Sequence, residues 1–70
     1  MSTKIVNDAN LTSEEIKELR NQMGMTQFEF AIELDTTPQT ILNWENGHSE
    51  PLAIYQEKLK ELRKKVVKEK

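Results

Sequence analysis

The chain has 70 residues, no cysteine, a single histidine and a formal net charge of −2. A chain of this length forms one small domain, which buries only about 60% of the surface that it exposes when unfolded. Disulfides, thiol nucleophiles, cysteine metal sites and histidine clusters are excluded, and we expect neither a metal nor a cofactor.

The N-terminal residues MSTKIVNDAN show no helical periodicity and no signal-peptide pattern. We predict that residues 1–10 form a flexible arm. The chain also contains no run of 18 apolar residues, so no membrane span is expected. Together these features predict a soluble protein of the cytoplasm.

Two consecutive segments carry the same helix-start signal, a threonine followed three residues later by glutamate. The pairs are Thr12 with Glu15, and Thr26 with Glu29. Each pair can form a capping box, in which two side chains and two backbone N–H groups bond reciprocally. Apolar residues recur at helical spacing after each box. We therefore predict two successive helices, the second of which ends at a turn near Asp35.

A third helix is predicted over residues 37–46, with Thr37 as its cap. Pro38 takes the first helical position, where a missing N–H group costs nothing. Gln39 and Asn43 are one turn apart and so share one face of this helix. Two short helices separated by a tight turn, the second of them polar on its free face, are typical of a helix-turn-helix DNA reader.

From Pro51 onwards the sequence favours one long helix with an apolar residue every three or four positions. This series is Leu52, Tyr55, Leu59, Leu62 and Val66. In one interpretation, its first three members pack on the other helices and the end of the segment frays. In the other, Leu59, Leu62 and Val66 form a seam with a second copy of the chain. We divide the chain into the arm, a DNA-binding domain over residues 11–60 and a basic helical tail over residues 61–70.

Charge is unevenly distributed along the chain. Residues 26–57 contain six carboxylates and no lysine or arginine, whereas residues 58–70 contain seven lysines or arginines and two glutamates. The acidic segment opposes binding to DNA phosphates, which favour basic surfaces. It favours a protein partner instead.

The residue types of the third helix suit base edges in the major groove. Glutamine and asparagine can each pair with adenine through two hydrogen bonds, and apolar groups contact the methyl group of thymine. The candidate base-reading residues are Thr37, Pro38, Gln39, Leu42 and Asn43. Since this helix has no arginine to bind guanine, we predict contacts that favour A·T pairs. The simpler alternative is that Gln39 and Asn43 are only solvated polar residues.

Phosphate contacts must come mostly from neutral donors. The N–H groups at the threonine-capped starts of the second and third helices carry partial positive charge. Candidate contacts are Thr26, Gln27, Asn46 and the basic Lys17. Few charged contacts predict a shallow salt dependence. Useful affinity then requires a homodimer that spans two major-groove faces about 34 Å apart.

Taken together, residues 11–51 resemble the Cro/C1-type (Xre-like) helix-turn-helix family of phage and bacterial regulators. The resemblance rests on the segments IKELR, GMTQFEFA and TTPQTILNWENG, followed by a proline. It implies an all-α, lambda-repressor-like bundle of about four helices with the last one extended. It also implies sequence-specific binding of double-stranded DNA through helix 37–46.

The resemblance also implies roles for individual residues of this chain. Gln27 resembles the family's phosphate-contacting glutamine. Thr40 and Asn46 match positions that often contact phosphate. His48 stands where the family usually has a lysine or arginine, and it is either a phosphate contact or an ordinary loop residue.

Arg20 and Glu45 match a buried ion pair between the first and third helices of the family. Such a pair is structural, because removing one partner leaves an uncompensated buried charge. The chain departs from the family at Asp35, where glycine is usual. It departs again at Phe28 and Leu42, which are apolar where the family is usually polar.

Three functions compete. The first is a small transcriptional regulator, most simply a dimeric repressor, in a bacterial, archaeal or phage-encoded setting. The second is an antitoxin-like module that binds a toxin or another protein and regulates its own promoter, since LTSEEIKELR and TILNWENG resemble such proteins. An enzyme is not expected, because no nucleophile–base pair, metal spacing or phosphate loop is present. We predict the first function.

Overall fold

The computed structural model describes residues 9–66, which form four helices. They are α1 (Ser13–Gln22), α2 (Gln27–Glu33), α3 (Pro38–Glu45) and α4 (Ala53–Val66). No strand occurs within this described range, and the predicted all-α fold class is confirmed. Most of the predicted arm, and the last four residues of the predicted tail, lie outside the described residues.

Both predicted capping boxes are present. Thr12 Oγ1 accepts a hydrogen bond from the Glu15 amide at 3.2 Å, and the Glu15 carboxylate accepts one from the Thr12 amide at 3.0 Å. Thr26 and Glu29 repeat the arrangement with distances of 3.1 Å and 3.0 Å. Each box satisfies two N–H groups near the start of a helix, so local sequence sets where α1 and α2 begin.

The turn between α2 and α3 depends on one residue with a left-handed backbone. Asp35 has φ +61°, a conformation that aspartate tolerates better than most residues. Its N–H donates to the Ile32 carbonyl at 3.1 Å, which closes the end of α2. The turn therefore forms with aspartate at the position where the resemblance leads one to expect glycine.

Apolar side chains from all four helices and from the segment before α1 form one core. Its most buried members are Phe30, Ile16, Leu34, Ile41 and Leu59. Trp44 also belongs to it, since its ring lies 5.3 Å from the ring of Tyr55 and only 3% of the residue is exposed. Because α1 packs against both α3 and α4, and α2 packs against α3, each helix is held through one face.

Two of the three residues predicted to form a seam with a second copy lie in the core of a single chain. Leu59 and Leu62 are buried in the core of a single chain, and Val66 packs against that core, so they do not offer an apolar stripe to a second copy. The domain boundary predicted at residue 60 also falls inside α4. Leu52, which one interpretation expected to pack on the other helices, is instead 69% exposed. It precedes α4, and its carbonyl accepts the first amide bonds of that helix at 2.9 Å.

A buried glutamine that sequence reasoning did not single out joins the two ends of the domain. Gln56 is 5% exposed, and its side-chain Oε1 accepts a hydrogen bond from the Leu11 N–H at 2.9 Å. Its Nε2 donates to the Leu11 carbonyl at 3.2 Å. Both backbone groups of a buried residue are thereby satisfied by one side chain from α4, as burial requires.

Replacing Gln56 with alanine is expected to lower the free energy of unfolding by about 1–3 kcal/mol, because it leaves the N–H and carbonyl of Leu11 buried without partners. Urea denaturation followed by Trp44 fluorescence measures the change. Glu57→Ala is the matched control on the exposed side of the same helix, where we expect a change within about 0.5 kcal/mol. Equal effects of the two substitutions would contradict the role of Gln56.

Candidate nucleic-acid interface

The free surface of α3 carries the predicted base-reading residues. Thr37, Pro38, Gln39 and Leu42 are exposed, and Asn43 is half-buried. The opposite face is fixed in the core by Ile41, which is fully buried, and by Trp44. The helix is thus anchored through one face and presents the other to solvent, as a groove-reading helix requires.

Gln39 and Asn43 form a hydrogen-bonded unit on this surface. The Gln39 Nε2 donates to Asn43 Oδ1 at 3.2 Å. Gln39 keeps its carbonyl oxygen and one N–H, the two groups that pair with adenine N6 and N7. Asn43 keeps both N–H donors. The two side chains are therefore positioned together, which the sequence spacing alone did not reveal.

The start of α3 can accept an anion. Thr37 Oγ1 accepts the Thr40 amide at 3.2 Å, and the two hydroxyl oxygens lie 2.9 Å apart. One of the two hydroxyl protons stays available for another acceptor. Since Pro38 has no N–H, the Gln39 amide is the open backbone donor of the first turn. No acidic residue lies in that turn to repel a phosphate.

The start of α2 is less suited to an anion than the sequence suggested. Its capping box places the Glu29 carboxylate against the Thr26 amide, so negative charge already lies at the helix start. The side-chain amide of Gln27 donates to Glu45 Oε1 at 3.1 Å. The two residues predicted to contact phosphate here already have partners within the chain, and α3 offers the better of the two helix starts.

The predicted ion pair between Arg20 and Glu45 is present. The Arg20 Nε and Nη2 donate to the two carboxylate oxygens of Glu45 at 2.7 Å and 3.1 Å, a bidentate arrangement. The side chains are 13% and 3% exposed, respectively. The Arg20 Nη1 also donates to the Met25 carbonyl at 3.0 Å. With Gln27 as a further donor to Glu45, the Arg20–Glu45 pair connects α1, the loop after it and α2 to the end of α3, which orients α3.

The remaining predicted phosphate contacts lie on three different elements. Lys17 is exposed on α1, Asn46 ends α3, and His48 follows in the loop. The His48 N–H donates to the Asn43 carbonyl at 2.8 Å, which connects this loop to α3. The basic residues of α4 lie on a helix that packs against α1. Positive charge is therefore placed on helices other than the one that carries the base-reading residues.

A comparison with protein families matches a model described as helix-turn-helix to residues 16–54, which is more than half of the chain. The chain belongs to the Cro/C1-type helix-turn-helix family. The match covers every residue proposed here to contact DNA, together with the Arg20–Glu45 pair. Members of this family are DNA-binding transcription regulators, and DNA is their partner. A search of curated proteins found no matching sequence.

Within residues 9–66, no helix is both long and apolar enough to cross a bilayer. In the same range, no group of three or more histidine, cysteine, aspartate or glutamate side chains is arranged to hold a metal ion. The helix-turn-helix family is generally non-enzymatic.

Proposed function

We propose that this helix-turn-helix protein is a sequence-specific transcriptional regulator of the cytoplasm, most simply a repressor, which binds its operator as a homodimer. The observation that supports this most directly is the exposed Gln39–Asn43 pair on a helix whose opposite face is locked into the core. Amide side chains in this position offer hydrogen bonds to base edges without a large electrostatic contribution.

In this proposal α3 lies in the major groove. Gln39 pairs with adenine, while the methyl group of Thr37 and the side chain of Leu42 contact thymine methyl groups. The open Gln39 amide and the Thr37–Thr40 hydroxyls bind a phosphate at the helix start. Asn46, His48 and Lys17 add further phosphate contacts. A dimer that covers two such half-sites would exclude polymerase from an overlapping promoter.

A binding selection from random duplex DNA tests the proposal. We expect a two-fold symmetric site that favours A·T pairs when the selection is run at about 50 mM salt. A protein that neutralises six phosphates loses roughly 10³-fold in affinity when the salt concentration rises to about 200 mM. We expect a much smaller loss for the selected site, because α3 carries no lysine or arginine. Absence of enrichment, or binding that disappears without any sequence preference, would contradict it.

A second candidate, an antitoxin-like module that binds a protein partner, is favoured by a specific observation. Phe28 and Ile32 lie one turn apart on α2 and are 62% and 64% exposed. Adjacent large apolar side chains on a surface are typical of protein interaction sites. Stable co-purification with the product of an adjacent gene, and its loss in Phe28→Ser, would support this candidate. A chain that purifies alone and still selects a DNA site would count against it.

A further inference from the structure

A groove lies between the end of α2 and the outer side of α4. It has a volume of about 390 Å³ and an apolar floor with a mostly acidic rim. The residues that matter for its chemistry are Leu34, Ile54, Leu62, Glu33, Glu57 and Glu61. None of these residues belongs to the proposed DNA interface, so the groove is a separate surface.

The floor of the groove is preformed. Leu34 and Leu62 are 0% and 7% exposed because they belong to the core, and core packing holds them in place. Ile54 stands at one end of the groove with 62% of the residue exposed. From Ile54 to Leu62 the helix rises about 12 Å at 1.5 Å per residue, the length of roughly two helical turns. A short helical segment therefore matches the groove in length.

The rim is predominantly negative. Glu33 comes from α2, and Glu57 and Glu61 come from α4 one turn apart. All three are exposed, and Lys58 is the one cation that lines the groove. Glu57 and Glu61 also line a second depression, which they share with Lys60 and Lys64. Because Glu33, Glu57 and Glu61 are exposed and line the groove, basic groups of a bound segment can reach them there.

We propose that this groove binds a basic amphipathic helix of a partner protein. Two apolar side chains one turn apart enter between Leu34 and Ile54, and flanking lysines or arginines meet Glu33 on one side and Glu57 and Glu61 on the other. The inference rests on the second candidate function above, a protein partner, and assigns that partner a surface other than the one around Phe28 and Ile32. Because the groove and the reading surface share no residue, the partner can bind a domain that is already on DNA.

The basic tail of a second copy is a poorer occupant of the groove. Residues 58–70 are rich in lysine, but Leu59 and Leu62, which would supply the apolar contacts, are buried in the core of their own chain. Charge would have to supply most of the binding of such a tail, and exposed charge pairs contribute little in salt. A separate protein can bring both apolar and basic residues on one helix.

The test uses the full chain, labelled with ¹⁵N, and two synthetic 14-residue helical peptides. One peptide has leucine on one face and lysine on the other, and in the second peptide every lysine is glutamate. Titration with the Leu/Lys peptide should change the amide chemical shifts of residues 33–34 and 54–62. The Leu/Glu peptide should bind at least about tenfold more weakly, because its charge repels the rim.

Variants locate the binding surface. Glu57→Lys combined with Glu61→Lys should weaken the Leu/Lys peptide at least about tenfold. The matched control is Glu18→Lys combined with Glu50→Lys, which changes net charge equally at exposed positions outside the groove and should leave binding within about twofold. Equal losses in the two double variants would show only long-range charge attraction and would overturn the proposal.

Other outcomes also overturn it. These are the absence of shifts in the groove, equal binding of both peptides, and shifts of the same amides with protein concentration alone, which would assign the groove to a second copy. DNA binding is measured on the same samples. If the peptide does not bind in the groove while selected DNA still binds, this inference alone is refuted. If the peptide binds in the groove but DNA does not bind, the regulator proposal alone is refuted.

Discussion

Replacing Arg20 with alanine is expected to lower the free energy of unfolding by about 3–5 kcal/mol. The Glu45 carboxylate is 3% exposed and would lose both of its bonds to the guanidinium, which leaves only the amide of Gln27 as a side-chain donor. The Met25 carbonyl would lose a donor as well. A 70-residue domain has a total stability of about 4–10 kcal/mol, so this loss would remove a large share of it.

Urea denaturation monitored by far-ultraviolet circular dichroism and by Trp44 fluorescence measures this loss. Lys17→Ala removes an exposed cation from the same helix and should change stability by less than about 0.5 kcal/mol. Replacing Arg20 and Glu45 together by methionine should recover much of the stability, because no uncompensated charge stays buried. A loss of under about 1 kcal/mol in Arg20→Ala would show that the pair behaves like a surface contact.

Replacing Gln39 with alanine is expected to relax selectivity at one base position by about 1–3 kcal/mol, which corresponds to roughly five- to 150-fold in affinity ratio. The carbonyl oxygen and the remaining N–H of Gln39 are the groups proposed to pair with adenine. Because Gln39 is exposed, the fold should stay intact. Competition binding with the selected site and its single-base variants measures the ratio. Gln22→Ala, at an exposed glutamine of α1, is the matched control and should leave selectivity unchanged.

The hydrogen bond between Gln39 and Asn43 adds a second expectation. Asn43→Ala should weaken preference at the position read by Gln39, since it removes the acceptor that holds the Gln39 amide in place. The double variant should then lose less than the sum of the two single losses. Strictly additive losses would show that the two residues read bases independently. Unchanged selectivity in both single variants would remove them from the interface.

Local signals in the sequence determined the helix boundaries and the face of α3 that carries Gln39 and Asn43. In the pairs that begin at Thr12 and Thr26, threonine and glutamate are three residues apart, so each capping box needs only residues of its own helix start. Thr37 and Pro38 set the start of α3 in the same way. The helical period then places Gln39 and Asn43 on one face. Each of these features depends on neighbours within about one turn, which the order of residues fully specifies.

The partners of the buried polar groups depended on contacts between distant parts of the chain. Gln56 binds a residue 45 positions away, and Gln27 binds Glu45 across 18 positions. From helical periodicity alone, a polar side chain is expected at the surface. A buried backbone N–H or carboxylate, however, needs a hydrogen-bond partner, and only the folded chain shows which amide side chain supplies it. The resemblance supplied the Arg20–Glu45 pair, but the additional donors to that carboxylate became visible only in the folded chain.

The use of the apolar residues of α4 was also decided by tertiary structure. Their spacing was equally compatible with packing on the chain's own helices and with a seam between copies. The choice depends on which hydrophobic surface lies nearest once α1 and α2 are in place. In the folded chain Leu59 and Leu62 complete the core, whereas Ile54 of the same helix stays exposed beside the groove. Sequence determined which faces of the helices are apolar, and only the arrangement of the helices decided which of those faces are covered, because burial is a property of the assembled surfaces.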